Sequence, residues 1–435
     1  MQSVAHNVPR QFDHRAATAH FMVCLEAYFS DILRGETALG FPDMPLPPDH
    51  LDREAVDDCR SIATTVALAR HNVYKVSWDA EEYANDVSKA ALPNPDAEAR
   101  LMAKYPPLIS RDEMLARVDD NLPLVLEPAI VADVKGRILL WSLLKVLSDS
   151  RQAKMLRDTR LIEAQMTVSE LEPGAKVTKS WRTAPTFYSP NGNWISGSTL
   201  LYPAGYQQGH EASNQNPAPS ADVRSSRAAE WMTAFEETGG ILDGILAITH
   251  PTLHAAAQEL MGAIWREHAE SRAIMATWPV CFSSLQVIIN RATLGHRDRH
   301  GEPGWFDLLV TLGTYGKASV LELRGLGISL PYGVGSIVPL ASKLLLHGVP
   351  KFKVAVEDVT YAQLPGRVED LGHGEGDQAI LKHLGSLDIA AIGEAGGSGT
   401  STLSSHRGDD ADMDGEGESE VSDGTADGED VAMAD

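Results

Sequence analysis

The sequence is poor in cysteine: Cys24, Cys59 and Cys281 are the only three in 435 residues. An odd number at such wide spacing gives neither a disulfide framework nor a paired-cysteine metal motif, and it suits a reducing compartment. Long apolar runs are also missing. No 18-residue stretch is apolar enough to cross a membrane, and the opening MQSVAHNVPRQFDHRAATAH has no apolar signal core. The expectation is a soluble intracellular protein with no membrane partner. Basic charge is scarce too, with 37 Lys and Arg against 60 Asp and Glu and a net charge of -23. Part of that imbalance is local, since residues 408–435 hold twelve acidic residues and no basic one. The remainder is still acidic, which excludes nucleic-acid binding by general attraction to phosphate alone; such binding needs a local patch.

What is present is a chain that is 43% hydrophobic, enough for a sizeable core. Residues 1–105 read as a helical N-terminal region. It contains FDHRAATAHFMVCLEAYFSDILRG, then LDREAVDDCRSIATTVALARHNVYKV with Asp49 as its cap, then WDAEEYANDVSKAAL. AIVADVKGRILLW reads as two short strands around a Lys135-Gly136 turn. SDSRQAKMLRDTRLIEAQMTVSELEPG reads as a helix on which Arg151, Lys154 and Arg157 share a face, either a phosphate contact or merely a solvated surface. A polar loop region follows. Its Tyr188, Trp194, Tyr202 and Tyr206 are open to two readings, stacking on a base or packing locally. The next helices break at Gly239-Gly240 and at His250-Pro251. Trp278 and Cys281 are expected in the core.

From Pro279 to Tyr361 the period changes to two. Six short strands are expected: FSSLQVIINRAT, FDLLVTLGTY, SVLELRG, GSIVPLA, KLLLHGV and KFKVAVEDVTY. Gly-rich turns separate several of them, and strands at this spacing suggest a double-sheet jelly roll. From about Leu387 the chain is mostly Gly, Ser, Ala and acid, too poor in apolar residues to fold. The division expected is therefore 1–105 helical, 106–372 a domain with its jelly-roll core at 279–361, and 387–435 a disordered acidic tail, either solubilising or a lure for a basic protein partner.

The stretch IINRATLGHRDRHGEPGWFDLL raises the functional question. His296 and Asp298 are separated by one residue, so on a strand they share a face. His347 ends a later strand and is placed to join them. Two imidazoles and one carboxylate on one side of a metal leave positions open for a bidentate 2-oxo acid and O2, a pattern suited to non-heme Fe(II). On the residues alone a solvated polar turn competes with that reading. Arg297, Arg299 and His300 either contact phosphates or belong to such a turn. Asp307 either lines the site or simply starts a strand.

The stretch from Trp278 to Val349 resembles the TET/JBP-like Fe(II)/2-oxoglutarate dioxygenases, and most of all the transposon-associated group of mushroom-forming fungi (basidiomycetes). The residues that carry the likeness are Asn290-Arg291, His296-Arg297-Asp298, Asp307-Leu308-Leu309, Gly313 with Tyr315, Leu326-Gly327 and His347-Gly348-Val349. It is dense over about 75 residues and thinner from about 105 to 278. The resemblance implies an α+β protein with a double-stranded β-helix (jelly-roll) oxygenase core and flanking helices. It also implies His296, Asp298 and His347 as catalytic iron ligands, with Fe(II), 2-oxoglutarate and O2 consumed in oxidising 5-methylcytosine in DNA to 5-hydroxymethylcytosine. A nuclear location follows from that substrate. Arg291 matches an arginine that contacts 2-oxoglutarate. The family's second arginine, beyond the distal histidine, is absent here: HGVPKFKVAVEDV offers Lys353 or Lys351, on one face, with Lys353 preferred because it lies further into the strand. That departure keeps two other readings open, an oxygenase for another methylated base or RNA, and an inactive DNA- or protein-binding descendant of the fold.

Overall fold

The computed structural model describes residues 53–90, 94–108, 122–168, 182, 184–188, 194–205, 217–298, 301–313 and 319–350. All of them lie within one compact unit spanning residues 1–387. The first candidate helix, the Asp49 cap, the KFKVAVEDVTY strand and the acidic tail fall outside the described residues.

Three helices and a strand come first: α1 (Arg53–His71), β1 (Val73–Lys75), α2 (Ala80–Lys89) and α3 (Pro95–Lys104). Local chemistry accounts for the starts of α2 and α3. Asp79 accepts the backbone N–H groups of Glu81 and Glu82, and Asn94 accepts those of Asp96 and Ala97 ahead of Pro95. The NVYKV end of the second candidate helix is strand β1, because its backbone is claimed by the parallel neighbour β2 (Ala129–Ala132). The expected hairpin around Lys135-Gly136 forms, with β2 antiparallel to β3 (Ile138–Ser142) and Gly136 at φ +83°. Then come α4 (Asp149–Thr159), capped by Ser148 and continued as a tighter 3-10 turn to Gln165, and β4 (Gly197–Leu201).

The long helix α5 (Ser226–Thr249) runs unbroken through Gly239-Gly240, where the sequence pattern suggested a break. The physical reason is packing. A Cβ on Gly239 would lie 1.8 Å from the Pro279 carbonyl oxygen, so the glycine lets another backbone touch the helix. The expected break at His250-Pro251 is present: α6 (Pro251–Glu267) starts there, with Pro251 in its first turn and the His250 side chain accepting from Leu253 N–H. A short α7 (Arg272–Met275) follows.

The strand-rich half comprises β5 (Leu285–Ile289), β6 (Thr293–His296), β7 (Asp307–Val310), β8 (Val320–Leu323), β9 (Ile328–Pro331), β10 (Ile337–Leu340) and β11 (His347–Val349). The sequence reading passed over strand β9, in GISLPYG, and ran FSSLQVIINRAT as one strand where the structure has β5 and a separate β6. The pairing is nested. β6 pairs with β11, β7 with β10 and β8 with β9, all antiparallel. A long hairpin doubled back in this way, with its pairs falling alternately in two sheets, is jelly-roll construction. One sheet has the order β1-β2-β3-β10-β7, the other β6-β11-β8-β9, and β4-β5 forms a two-stranded ribbon. Strands β2 and β10 are buried along their whole length, as expected for central strands covered on both faces. The helices close over them. Ile62, Leu140, Trp141, Trp231 and Trp278 belong to one continuous core, and each aliphatic side chain so buried contributes roughly 1.5–3 kcal/mol. Trp278 and Cys281 are core residues, as expected. The fold is thus a mixed helix and antiparallel-sheet architecture consistent with a jelly-roll oxygenase core. No described helix is long and apolar enough to cross a membrane.

Candidate metal centre

Pairing of β6 with β11 places His296 directly opposite His347, with ring centroids 4.4 Å apart. Close approach of the two strands depends on Gly348. A Cβ there would sit 2.9 Å from both Gly295 N and Thr293 O, which are backbone atoms with no freedom to yield. Asp298 follows β6, and its N–H donates to Ser342 O at 3.2 Å, which fixes the carboxylate's origin. His296 Nε2 and His347 Nε2 then lie 3.5 Å from Asp298 Oδ1 and Oδ2 respectively. One ligand atom from each of the three falls within 4.8 Å of the others.

Both imidazoles are oriented by the chain itself. Nδ1 of His296 sits 2.8 Å from Leu294 O, and Nδ1 of His347 sits 2.8 Å from Leu345 O. With Nδ1 of each ring held at a carbonyl oxygen, Nε2 is the nitrogen turned toward Asp298. Confinement by protein pushes the Asp298 carboxyl up, but hydrogen bonds and charge from His296 and His347 outweigh this. They hold it well below its ordinary value of 3.8. An ionised carboxylate set between the Nε2 atoms of two imidazoles is a donor set that fits a divalent iron ion.

Alternation explains why Arg297 belongs to a different structure. Its side chain points away from the triad into the core, where it is neither a solvated turn residue nor a phosphate contact. Nε and Nη2 donate to the two Glu98 carboxylate oxygens at 2.9 and 2.8 Å, and Nη2 donates to Tyr83 Oη at 2.8 Å. The iron-ligand segment is thereby bolted to α2 and α3. The Arg151/Lys154/Arg157 face is likewise corrected. Arg151 is fully buried, paired with Asp58 at 2.7 Å and Glu237 at 2.5 Å. Lys154 binds Asp158 and the Ala234 carbonyl. Only Arg157 of the three faces solvent, so no phosphate-binding face exists there.

Arg291 follows the end of β5. Its Nη1 donates to Arg182 O at 3.3 Å, it bridges Tyr188, and it is close enough to feel the Asp298 charge. Burial lowers its guanidinium pKa from the ordinary value. Sequence reasoning missed Arg182, whose Nη2 donates to Asp298 Oδ1 at 2.9 Å, and whose carbonyl accepts from Tyr188 Oη at 2.7 Å. It missed Arg324 as well. Paired with Glu322 at 2.8 Å, Arg324 lines a cleft with Thr293, His347 and Pro350. Nothing in the spacing of either arginine marked it. Asp307 both starts β7 and accepts from the Ser342 hydroxyl, one step from the backbone that holds Asp298. Of the loop aromatics, Tyr188 is committed to Arg182, and Trp194 lies under the Arg160 guanidinium at 3.5 Å, so both pack locally. Lys351, Lys353, Arg299, His300 and Tyr206 lie outside the described residues.

Residues 202–366 match the family model Tet_JBP, the oxygenase domain of the 2OGFeDO superfamily. No curated protein matches the chain. Among solved structures, NgTET1 in complex with 5mC DNA is similar at 12% identity and a TM-score of 0.34, covering 53% of this chain and 73% of that one. The family match spans the whole β5–β11 region and every residue of the triad. Residues 202–366 are thus similar to the Tet/JBP oxygenase domain of the Fe(II)- and 2-oxoglutarate-dependent dioxygenase superfamily, whose cofactors are Fe(II), 2-oxoglutarate and O2.

Proposed function

We propose that this oxygenase acts on a methylated base in DNA, and that its first reaction converts 5-methylcytosine to 5-hydroxymethylcytosine. The observation that carries the proposal is the convergence of His296, Asp298 and His347 on one point within a Tet/JBP oxygenase domain. These three residues would hold Fe(II), which when bound with 2-oxoglutarate and O2 supplies the oxidising power to hydroxylate a methyl group.

The chain's own groups do the rest. Leu294 O and Leu345 O keep Nε2 of each histidine aimed at the metal position. Arg291 presents a planar fork, partly stripped of water, to a 2-oxoglutarate carboxylate. Arg182 adds a second guanidinium at the same edge. Lys353 or Lys351 takes the far carboxylate, as a point charge in place of the family's arginine. A base methyl group is out of reach inside a stacked duplex, so the nucleotide leaves the stack and enters the pocket. A DNA substrate also assigns the protein to the nucleus.

The test is product analysis. The full chain is incubated with Fe(II), 2-oxoglutarate and duplexes carrying 5-methylcytosine, and digested nucleosides are measured by mass spectrometry. 5-Hydroxymethylcytosine is expected with matching succinate, and neither with His347→Ala. Turnover confined to another methylated base or to RNA would reassign the substrate. DNA binding with no succinate from any methylated substrate would overturn the catalytic reading.

A further inference from the structure

A second cluster of metal-type side chains lies away from β6 and β11. Asp243 on α5, His254 on α6 and Cys281 in the segment leading to β5 each offer a ligand atom, and these atoms lie within 4.8 Å of one another. Asp243 and Cys281 are 4% exposed, and His254 is mostly enclosed. We infer that Asp243, His254 and Cys281 form a zinc-type site that pins the α5–α6 helix pair to the segment leading into β5.

The placement follows from the packing. Asp243 stands one helical turn after Gly239, whose bare backbone lets Pro279 O press against α5. That contact brings the next residues of the 279–281 segment onto the same helix face. Cys281 N–H then donates to Asp243 Oδ1 at 2.8 Å, leaving the thiol beside the carboxylate. The proline-started first turn of α6 delivers His254 to the same place, and the Gln258 amide, 3.2 Å from Nε2, orients the ring.

Charge decides which metal fits. Binding displaces the thiol proton to solvent, so the ligand set becomes one thiolate, one carboxylate and one neutral imidazole. Their sum of two negative charges neutralises a dication, and a neutral assembly is the form that a low-dielectric interior tolerates. Mixed sulfur, nitrogen and oxygen ligation is the preference of zinc, with a fourth position left for water. The triad has no sulfur, so the two sites are spectroscopically separable.

The test uses the metal-free full chain titrated with Co2+, which reports a thiolate ligand through an intense near-ultraviolet charge-transfer band. The iron triad produces no such band. One equivalent of Co2+ is expected to generate it, Zn2+ to abolish it, and Cys281→Ser to remove it while circular dichroism shows a folded chain. His254→Gln keeps the thiol and is expected to weaken Co2+ binding at least tenfold. Absence of the band in the folded wild type, or an undiminished band in Cys281→Ser, would overturn the inference.

Discussion

Replacing Arg297 with alanine is predicted to cost more stability than any change at an ordinary surface arginine, and to damage iron binding without removing a ligand. The Arg297 and Glu98 side chains are 5% and 18% exposed and meet in a two-point contact of 2.8 and 2.9 Å. Truncating one partner of such a buried pair leaves the other charge stranded, which costs about 3–5 kcal/mol. Because Glu98 retains some solvent, the lower end applies, and about 3 kcal/mol translates to a Tm lower by roughly 6–12 °C for a domain of this size. Arg297→Lys should recover only part of the loss, since an ammonium cannot span both carboxylate oxygens. A double-mutant cycle with Glu98→Gln should show a coupling of about 1.5 kcal/mol or more. The consequence reaches the site because Arg297 is bonded directly to Asp298 and His296. A ligand displaced by about 1 Å costs roughly a hundredfold in function. Thermal unfolding and Fe(II) titration of the wild type and the four variants supply the data. A Tm drop under about 2 °C, or strictly additive single effects, would refute the reasoning.

Other perturbations follow from the same geometry. Gly348→Ala should separate β11 from β6, costing about 1–3 kcal/mol by denaturant unfolding and weakening Fe(II) binding at least tenfold, since the added Cβ meets backbone on both sides. Arg151→Ala should destabilise the fold by about 3–5 kcal/mol yet leave the affinity for DNA unchanged in a fluorescence titration, because its guanidinium serves Asp58 and Glu237. Tyr83 is buried, and that burial raises its hydroxyl above the ordinary 10.0, although the Arg297 charge pulls the other way. A raised folded-state pKa means the unfolded chain loses its proton first. Stability should therefore be complete below pH 10 and fall as pH rises through the folded value, with one tyrosine ionising late at 295 nm.

How much of this was legible before the structure depended on the reach of each interaction. His296 and Asp298 were readable because alternation operates over two residues; His347 was picked out as the end of an apolar strand, whereas it begins the short strand β11 after a turn. The direction of Arg297 was not, since its partners Tyr83 and Glu98 lie 214 and 199 residues away in sequence. Arg151 showed the same blindness: three basic residues at helical spacing look solvated until Asp58 and Glu237 are packed against one of them. Gly239-Gly240 reads as a break in isolation, and only the Pro279 carbonyl explains why a helix keeps it. Strand β9 went unseen because ISLP is short, flanked by glycine turns and ended by proline. Arg182 reaches Asp298 across 116 residues of sequence, and no local pattern announces that contact.

The central claim is that His296, Asp298 and His347 hold Fe(II) in a form that chelates 2-oxoglutarate. Its most direct measurement is the visible charge-transfer absorption of the anaerobic protein with Fe(II) and 2-oxoglutarate together, compared with His296→Ala. A band that requires both components and is lost in the variant is predicted. No band at saturating 2-oxoglutarate, or an equal band in His296→Ala, would contradict the assignment.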